Sequence, residues 1–551
     1  MTRYRIIVVG GVAGGMSAAT RLRRLREDAD IVVLERGEHV SFANCGLPYY
    51  IGGVIEERQD VLLQSPGSLR SRFELDVRVR HEAVAIDRAA RTVRVRDLAT
   101  GQETDERYDA LILSPGASPR RPDVPGAERM LTLRDVADAD AVLRELPDAR
   151  SALVLGGGFI GVEMVENLVH RGLAVTLVEH GDQLLGPLDP EMAEPLARRL
   201  RDAGVDVRLG ADLVALDGST ATLADGSVVG ADLAIAAIGV QPDTALARDA
   251  GLALGARGGI VVDEQLRTND SAIWAIGDAV EKIDALTGTP RLVALAGLAN
   301  RHGRLAADAI AGRPVRARDA LGTAIVGAFG LTAAMTGWSE KALRAAGREP
   351  RVVHTHPASH AGYYPGAEQM ALKLLIDPET DAILGAQGVG GEGVDKRLDV
   401  IATAMAGGLL ASDLADLELA YAPQFSSAKD PVNMLGYVAR NAAEGLTPSV
   451  QWHELEAELA AGATLVDVRT PGEYAGGAIP GSVNLPLDDL RERVGELPPG
   501  RLIVHCKVGQ RGHTAVRLLA QLGREAVNLD GGYLTWAEGT ASRESAAVPV
   551  G

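Results

Sequence analysis

The sequence predicts an α/β protein built from several parallel-sheet domains. Its 551 residues suffice for about three or four domains of ordinary size. A strand, a helix and a second strand occur in that order twice, at Tyr4–Val9, Gly14–Glu27 and Ala29–Leu34, and again at Ala152–Leu155, Phe159–Arg171 and Ala174–Val178. Such βαβ units are typical of a parallel sheet with helices on its faces. The repeat therefore predicts two separate domains of this kind.

Composition narrows the classes of function. The net charge is −18, from 74 acidic and 56 basic residues, which disfavours nucleic acid and anionic membranes as partners. No apolar run reaches the roughly 18 residues of a membrane span, and no signal peptide precedes the first strand. We therefore expect a cytoplasmic protein with no nucleic-acid or membrane partner.

The chain contains two cysteines, Cys45 and Cys506. They are too few and too far apart for a disulfide scaffold or a four-thiolate metal site, and no Cys-x-x-Cys sequence exists. We therefore expect no metal site, and each thiol is available for chemistry.

A glycine-rich turn follows the strand of the second βαβ unit. Residues 156–161 read G-G-G-F-I-G and satisfy the G-x-G-x-x-G pattern at a strand-to-helix junction. Glycines there let the backbone approach a pyrophosphate at the helix N-terminus. Glu179 ends the next strand, where a carboxylate accepts from a ribose 2′-hydroxyl and repels a 2′-phosphate. We therefore expect NADH, in preference to NADPH, to bind Gly156, Gly158, Phe159, Ile160, Gly161 and Glu179.

The glycine turn of the first βαβ unit is less regular. Gly10 and Gly15 hold the outer positions, but Val12 replaces the middle glycine. Glu35, at the end of the next strand, restores the ribose contact. Later in the chain an apolar strand ends in Gly277-Asp278, where a carboxylate could hydrogen-bond the ribityl or phosphate region of a flavin.

Together these motifs resemble the FAD-dependent pyridine nucleotide-disulfide oxidoreductases over roughly residues 1–440, including Ser114-Pro115-Gly116. The resemblance implies an FAD domain interrupted by an NADH domain and followed by a dimerisation domain, in a homodimer. It also implies that hydride passes from NADH to flavin and electrons pass from flavin to a thiol. The residues expected to hold FAD are Gly10, Val12, Ala13, Gly15, Glu35, Arg36, Ser114, Gly116, Gly277 and Asp278.

Cys45 lies in the segment Ser41–Tyr49, which reads S-F-A-N-C-G-L-P-Y. No second cysteine exists in this part of the chain, so Cys45 must cycle through a mixed disulfide, a persulfide or a sulfenic acid. The segment resembles the coenzyme A-disulfide reductases, whose cysteine holds coenzyme A as a mixed disulfide. Related flavin oxidases and peroxidases, which use a sulfenic acid, carry a histidine in the first glycine turn where this chain has Ala13.

The same resemblance implies a surrounding site. It assigns to the partner subunit a pair of tyrosines, Tyr363 and Tyr421, and a phenol could donate a proton to a departing thiolate. Coenzyme A is anionic, so the site needs a local basic cluster. Arg21 and Arg24 are candidates because arginine binds phosphate bidentately. The competing interpretation is that these two arginines lie on a solvated helix face. The residues expected to contact the thiol substrate are Arg21, Arg24, Ser41, Asn44, Asn300 and Lys429.

Cys506 begins the loop C-K-V-G-Q-R-G between a strand and a helix. Backbone N–H groups and the positive helix end at such a turn stabilise a thiolate or persulfide. The loop resembles the Cys-x-x-Gly-x-Arg loop of single-domain rhodaneses, which makes Arg511 a catalytic candidate beside Cys506. One departure is Gly477, where many rhodaneses have histidine.

The predicted fold class is α/β, with two Rossmann-like nucleotide-binding domains for FAD and NADH, an α+β dimerisation domain and a C-terminal rhodanese α/β domain. The expected boundaries are 1–113 and 246–321 for the FAD domain, 114–245 for the NADH domain, 322–446 for dimerisation and 450–551 for the rhodanese domain. The favoured function is NADH-dependent reduction of coenzyme A disulfide, coenzyme A persulfide or polysulfide through Cys45, with Cys506 carrying sulfane sulfur. Two alternatives are an NADH oxidase or peroxidase that uses Cys45 sulfenic acid, and a sulfur-carrier or redox-sensing module.

Overall fold

A computed structural model describes residues 3–547 of the chain. Its strands are β1 (Arg5–Val9), β2 (Asp30–Glu35), β3 (Asp76–Val79), β4 (His81–Asp87), β5 (Thr92–Asp97), β6 (Glu103–Arg107), β7 (Ala110–Leu113), β8 (Ala117–Pro119), β9 (Ser151–Leu155), β10 (Ala174–Glu179), β11 (Asp206–Leu209), β12 (Leu213–Asp217), β13 (Thr220–Leu223), β14 (Val228–Gly230), β15 (Leu233–Ala236), β16 (Val240–Pro242), β17 (Ile273–Ala275), β18 (Glu281–Ile283), β19 (Pro290–Leu292), β20 (Ala324–Ala328), β21 (Leu331–Gly337), β22 (Arg351–Thr355), β23 (Ala371–Ile376), β24 (Ile383–Gly390), β25 (Ser449–Val450), β26 (Thr464–Asp467), β27 (Val483–Asn484), β28 (Leu502–His505) and β29 (Ala526–Leu529).

The α-helices are α1 (Ala13–Leu25), α2 (Leu47–Gly52), α3 (Arg58–Val61), α4 (Pro66–Phe73), α5 (Val136–Glu145), α6 (Phe159–His170), α7 (Pro190–Asp202), α8 (Ala245–Asp249), α9 (Ala296–Ile310), α10 (Glu340–Ala345), α11 (Val394–Gly407), α12 (Pro431–Ala443), α13 (Leu455–Ala460), α14 (Pro471–Ala475), α15 (Leu490–Arg493), α16 (Gln510–Gln521) and α17 (Gly532–Ala547). Between residues 3 and 547, no helix combines the length and the apolar character that a membrane span requires.

Contacts divide the chain into two compact units. The first unit comprises Met1–Leu177, Leu213–Leu223 and Val228–Gly322. The second unit comprises Val178–Asp212, Ala224–Ser227 and Thr323–Gly551.

The core of the first unit is a five-stranded sheet in the order β17-β7-β1-β2-β3. All of its neighbouring strands are parallel. Residues on both faces of its central strands, such as Ile6, Ile7, Ile31 and Val32, are buried, as continuous apolar strands of a parallel sheet require. Helices α1 and α9 pack together beside it. Their close approach occurs at Gly303, where a Cβ atom would lie 2.2 Å from the carbonyl oxygen of Gly14.

Two further sheets match the sequence pattern. The alternating runs Val84–Ile86 and Thr92–Val95 fall in β4 and β5, which pair antiparallel and continue to β6. The second βαβ unit is formed by β9, α6 and β10, and β9 pairs in parallel with β15. The two predicted parallel-sheet units are therefore confirmed.

The second unit contains two different sheets. One is antiparallel, in the order β20-β21-β24-β23-β22, and α11 and α12 pack against it. The other is parallel, in the order β25-β29-β28-β26-β27. Helix α17, which follows the last strand of this parallel sheet, packs against α7.

Candidate active sites

The first glycine turn joins β1 to α1 and tolerates no side chain at its two outer glycines. Gly10 has φ +99°, and a Cβ atom there would lie 2.0 Å from the carbonyl oxygen of Ser114. A Cβ atom on Gly15 would lie 1.8 Å from the carbonyl oxygen of Gly10. Glu35, at the end of β2, accepts hydrogen bonds from the backbone N–H groups of Gly11 and Gly37, each at 2.7 Å. The fold itself therefore requires glycine at both positions.

A cavity of about 1270 Å³ opens beside this turn. It is lined by nine of the ten residues expected to hold FAD, namely Gly10, Val12, Ala13, Glu35, Arg36, Ser114, Gly116, Gly277 and Asp278. The tenth residue, Gly15, packs beneath the turn. Asn44, next to Cys45, also lines the cavity.

The buried carboxylate of Asp278 tests whether this cavity suits a flavin. Its Oδ1 atom is buried and has no hydrogen-bond partner among the described residues. Burial raises the pKa of Asp278, and Lys282 and Arg134 oppose that effect. A buried unpaired carboxylate oxygen is costly unless a donor reaches it. A polyhydroxylated ligand such as the ribityl chain supplies that donor, so the residues present fit FAD.

Two basic residues that the sequence did not single out organise this cavity. Lys282 is buried, and its Nζ atom donates to the carbonyl oxygens of Gly277 at 2.6 Å and Val280 at 2.9 Å. Burial lowers the pKa of Lys282 to about 8. Arg134 donates to the carbonyl oxygen of Pro115 at 3.0 Å and to Asp243 at 2.9 Å. The only sequence signal for Lys282 is rarity, since the chain has six lysines.

Cys45 lies just before α2, in a segment that is attached to the glycine turn. The N–H group of Ser41 donates to the carbonyl oxygen of Gly11 at 2.8 Å. Cys45 itself is exposed, yet partial desolvation raises the pKa of its thiol, and the charges of Glu163 and Asp278 raise it further. Its neighbour Tyr49 donates to Glu163 at 3.2 Å. Cys45 is thus a single accessible thiol facing two carboxylates at the flavin cavity.

The residues expected to contact the thiol substrate differ in their exposure and in their partners. Arg21 is paired with Asp308, at 2.8 Å between Nη2 and Oδ1, whereas Arg24, one turn further along α1, is exposed. Asn300 is exposed on α9 and accepts a hydrogen bond from Ser17 at 2.5 Å. Ser41 and Asn44 flank Cys45 in sequence, and Lys429 is exposed in the second unit.

The second glycine turn joins β9 to α6. Gly156 has φ +108°, and a Cβ atom on Gly161 would lie 1.9 Å from the carbonyl oxygen of Gly156. Gly158 borders open space, with no atom within 4 Å of a Cβ built there. Phe159 and Ile160 begin α6. Glu179 ends β10 and accepts from the N–H group of Gly181 at 2.7 Å.

Tyr363 and Tyr421 come together although 57 residues separate them in sequence. Their hydroxyl oxygens are 2.8 Å apart, and both side chains are exposed, Tyr363 by 77% and Tyr421 by 47%. The hydrogen bond raises the pKa of Tyr421. Two exposed phenols that share a hydrogen bond form a polar patch able to serve a ligand or a partner subunit.

Cys506 lies buried in the turn between β28 and α16. Its carbonyl oxygen accepts from the N–H group of Tyr533 at 2.8 Å. Arg511 donates two hydrogen bonds of 2.7 Å to Glu473, which lower the pKa of that carboxyl to about 2. The bonds to Glu473 and the interaction with Cys506 raise the pKa of Arg511. A fixed guanidinium therefore lies beside the Cys506 thiol.

Comparison with protein families gives matches along the chain. Residues 4–303 match the pyridine nucleotide-disulphide oxidoreductase family, residues 323–431 its dimerisation domain, and residues 451–539 the rhodanese-like domain. The chain belongs to the pyridine nucleotide-disulphide oxidoreductase family, with a rhodanese-like domain added. The predicted fold class and family resemblance are confirmed, while the five domain boundaries stay predictions.

Individual relatives are consistent with this assignment. The chain is 36% identical over 439 residues to a coenzyme A disulfide reductase of Staphylococcus aureus, covering 79% of this chain and 100% of the relative. Its structure is similar to the crystal structure of reduced CoADR-RHD from Bacillus anthracis, with a TM-score of 0.97 and 47% identity over 98% of this chain and 99% of that one. It is also similar to an NAD-dependent persulfide reductase from A. fulgidus, with a TM-score of 0.91 and 34% identity over 97% and 100% of the two chains.

Proposed function

We propose that this chain is an NADH-dependent flavoenzyme that reduces coenzyme A disulfide, coenzyme A persulfide or polysulfide. The observation that carries the proposal is the pairing of one accessible thiol, Cys45, at the flavin cavity with a second thiol, Cys506, in a rhodanese-type loop. The full-length similarity to CoADR-RHD and to a persulfide reductase supports the same combination.

The substrate reacts at Cys45. The Cys45 thiolate attacks the coenzyme A sulfur of a persulfide, so that a Cys45–coenzyme A disulfide forms, the S–S bond of the substrate breaks and hydrosulfide leaves. When bound, FAD would supply the two electrons, taken from NADH, that are needed to reduce this mixed disulfide to the Cys45 thiol and free coenzyme A. Gly10, Glu35, Ser114 and Asp278 are the residues that would hold FAD. Because the pKa of Cys45 is raised, the attack accelerates as pH rises.

The phenol pair has a role in a homodimer. The chain carries the family's dimerisation domain, and the hydroxyls of Tyr363 and Tyr421 are exposed in the single chain. We assign them to the active site of the other subunit, where a phenol protonates the departing thiolate.

Arg24 and Lys429 remain candidates for the phosphates of coenzyme A, whereas Arg21 is already neutralised by Asp308. The cytoplasmic location stays a prediction.

Cys506 carries sulfane sulfur. The buried thiol at a helix N-terminus, beside the fixed guanidinium of Arg511, suits an anionic persulfide. A disulfide reductase alone needs no sulfane carrier. The fusion therefore favours a persulfide over a plain disulfide as substrate.

Two serine variants test the division of labour. We expect Cys45→Ser to abolish NADH oxidation with coenzyme A persulfide, and Cys506→Ser to abolish sulfur transfer from thiosulfate while leaving NADH oxidation with coenzyme A disulfide intact. Steady-state assays of both activities on the same preparations measure this. If neither substitution changed either activity, the proposed function would be wrong.

The mass of the purified wild-type protein separates the two enzymatic hypotheses. Coenzyme A attached to Cys45 supports the reductase, whereas a single added oxygen on Cys45 supports the oxidase or peroxidase. Similarity to a water-forming NADH oxidase, 25% identical with a TM-score of 0.77, keeps that alternative in the test. Ala13 lines the cavity and offers no titratable group for peroxide chemistry.

A further inference from the structure

A buried cluster of charges lies in the second unit, away from both thiols in sequence. Lys373, on β23, is completely buried, and its Nζ atom lies 2.5 Å from Glu191, 2.6 Å from Glu340 and 2.9 Å from Asp189. The ligand atoms of these three carboxylates lie within 4.8 Å of one another. The ammonium group of Lys373 occupies the position that a bound cation would take. Each of the three buried carboxylates is thus paired directly with the same buried ammonium group, as buried charges require a partner.

His354, on β22, connects this cluster to the rhodanese-like segment. Its Nε2 atom lies 3.1 Å from Oε1 of Glu191, the same oxygen that Lys373 contacts. Its Nδ1 atom lies 2.7 Å from Oδ2 of Asp530, and its backbone N–H group donates to that oxygen at 2.9 Å. Although burial opposes a charged ring, the bonds to Asp530 and Glu191 raise the pKa of His354 to about 9. His354 therefore bridges two carboxylates as a cation at neutral pH.

Asp530 immediately precedes the turn that holds the Cys506 loop. Between residues 3 and 547, the hydrogen bonds found to the Asp530 carboxylate both come from His354. The next residue, Gly531, packs so closely that a Cβ atom there would lie 2.9 Å from Cβ of His354. The turn continues into α17, whose first N–H groups, those of Tyr533 and Leu534, donate to the carbonyl oxygens of Cys506 at 2.8 Å and Lys507 at 3.0 Å.

We propose that His354 is a positioning residue for sulfur transfer. It holds Asp530 next to the Lys373 cluster and thereby fixes the position of the α17 N–H groups that bind the carbonyl oxygens of the Cys506 loop. The dimerisation part of the chain would then help to build the rhodanese site, which the rhodanese-like segment does not complete by itself. This inference rests on the proposed role of Cys506, but it adds a residue from outside the rhodanese match at 451–539.

Two amide substitutions separate the two ends of the bridge. The Nδ2 atom of asparagine takes the place of histidine Nδ1, so His354→Asn keeps the donor to Asp530. Glutamine mimics Nε2, so His354→Gln keeps the contact with Glu191 and loses the side-chain donor to Asp530, while the backbone N–H group of residue 354 still donates to it. We expect His354→Gln to lower kcat for thiosulfate sulfurtransfer roughly tenfold, the scale of a small misplacement of reacting groups. We expect His354→Asn to stay near wild type.

The second readout is the pH dependence of Cys506 alkylation by iodoacetamide, with Cys45 in the same sample as an internal reference. We expect His354→Gln to change the profile of Cys506 and leave that of Cys45 unchanged. The matched control is His453→Asn, because His453 contacts the same cluster through Glu340 at 3.2 Å and does not bond Asp530. NADH oxidation with coenzyme A disulfide should remain at the wild-type level in all three variants.

The outcomes distinguish this inference from the proposed function. If His354→Gln matched wild type in sulfurtransfer and in the Cys506 profile, positioning by His354 would be refuted. Equal loss in both His354 variants, with loss of NADH oxidation and of thermal stability, would show a general structural role and also refute it. If wild-type protein transferred no sulfur, the proposed role of Cys506 would fail, and the alkylation profiles would still decide whether His354 sets the loop.

Discussion

The reactivity of Cys45 depends on single charges in its surroundings. Desolvation and the carboxylates of Glu163 and Asp278 raise the pKa of its thiol, and a neighbouring negative charge acts by disfavouring the thiolate. We expect Glu163→Gln to lower the pKa of Cys45 and to speed its alkylation severalfold at neutral pH. Alkylation rates measured by mass spectrometry across pH 6 to 10 test this.

The control for that substitution is Glu166→Gln. Glu166 acts on Tyr49 and Glu163, but it is not among the groups that shift the pKa of Cys45. The alkylation profile of Cys45 in Glu166→Gln should match that of the wild type. An unchanged profile in Glu163→Gln would mean that Glu163 does not contribute to the raised pKa of Cys45, which would then be set by desolvation and Asp278.

Individual residues differed in how far sequence could predict them. Cys45 and Cys506 were identified because each lies in a contiguous motif. Lys373 was not identified, because its partners lie far from it in sequence. Asp189 and Glu191 lie at the start of α7, and Glu340 lies in α10. The pairing of Arg21 with Asp308 of α9 was invisible for the same reason. Contacts between distant segments are decided by tertiary packing, and one sequence carries no local signal for them.

The glycines of the second turn have two different functions, and alanine substitution separates them. Gly161→Ala places a Cβ atom 1.9 Å from the carbonyl oxygen of Gly156, so we expect a loss of stability of about 1–3 kcal/mol, as overpacking costs. Gly158→Ala meets no protein atom, so we expect unchanged stability and a KM for NADH raised about tenfold or more, since the methyl group occupies pyrophosphate space.

Thermal denaturation and NADH kinetics on both variants measure these effects. Each variant is the control for the other, because the two glycines lie three residues apart in one turn. An unchanged KM in Gly158→Ala would remove this turn from the NADH site.

Hydrophobic periodicity predicted where most helices and strands lie, but it did not predict the residues at which they begin and end. The first strand was predicted at Tyr4–Val9 and spans Arg5–Val9. The loop that begins at Cys506 was expected to extend over seven residues to Gly512, but α16 begins within it at Gln510, because Gly509 at φ +87° lets the chain enter the helix early. Helix ends depend on local backbone geometry, which hydrophobic patterning does not encode.

At the scale of the whole molecule, the net charge of −18 includes acidic residues that are buried and paired with cations. The buried carboxylates of Asp189, Glu191, Glu340 and Asp530 are paired with the buried cations Lys373 and His354, and Glu340 also pairs with the exposed Arg344. From composition we inferred only that nucleic acid and anionic membranes are disfavoured as partners. The structure shows that part of the acidic excess stabilises the second unit from within, and this makes its stability depend on pH.

The titration of this cluster predicts a stability maximum for the second unit at mildly acidic pH. Burial would raise the pKa of Glu340, but hydrogen bonds from His453 and the charge of Lys373 lower it from 4.5 to about 2; its stabilisation is therefore complete above pH 4.5 and lost as pH falls toward 2. The pKa of His354 is raised from 6.5 to about 9, so its stabilisation is complete below pH 6.5 and lost as pH rises toward 9. We expect the unfolding temperature to peak between pH 4.5 and 6.5.

Scanning calorimetry from pH 3 to 9.5 on the full chain measures this profile, and His354→Gln is the informative variant. Glutamine does not titrate, so the variant should lose the decline between pH 6.5 and 9 and keep the acidic limb that Glu340 and Glu191 produce. The pKa of Glu191 is lowered most by the charge of Lys373 and also by His354, against the effect of burial, so the acidic limb should persist in the variant but be smaller. An alkaline decline that persists in His354→Gln would assign that limb to another group and contradict the bridging charge on His354.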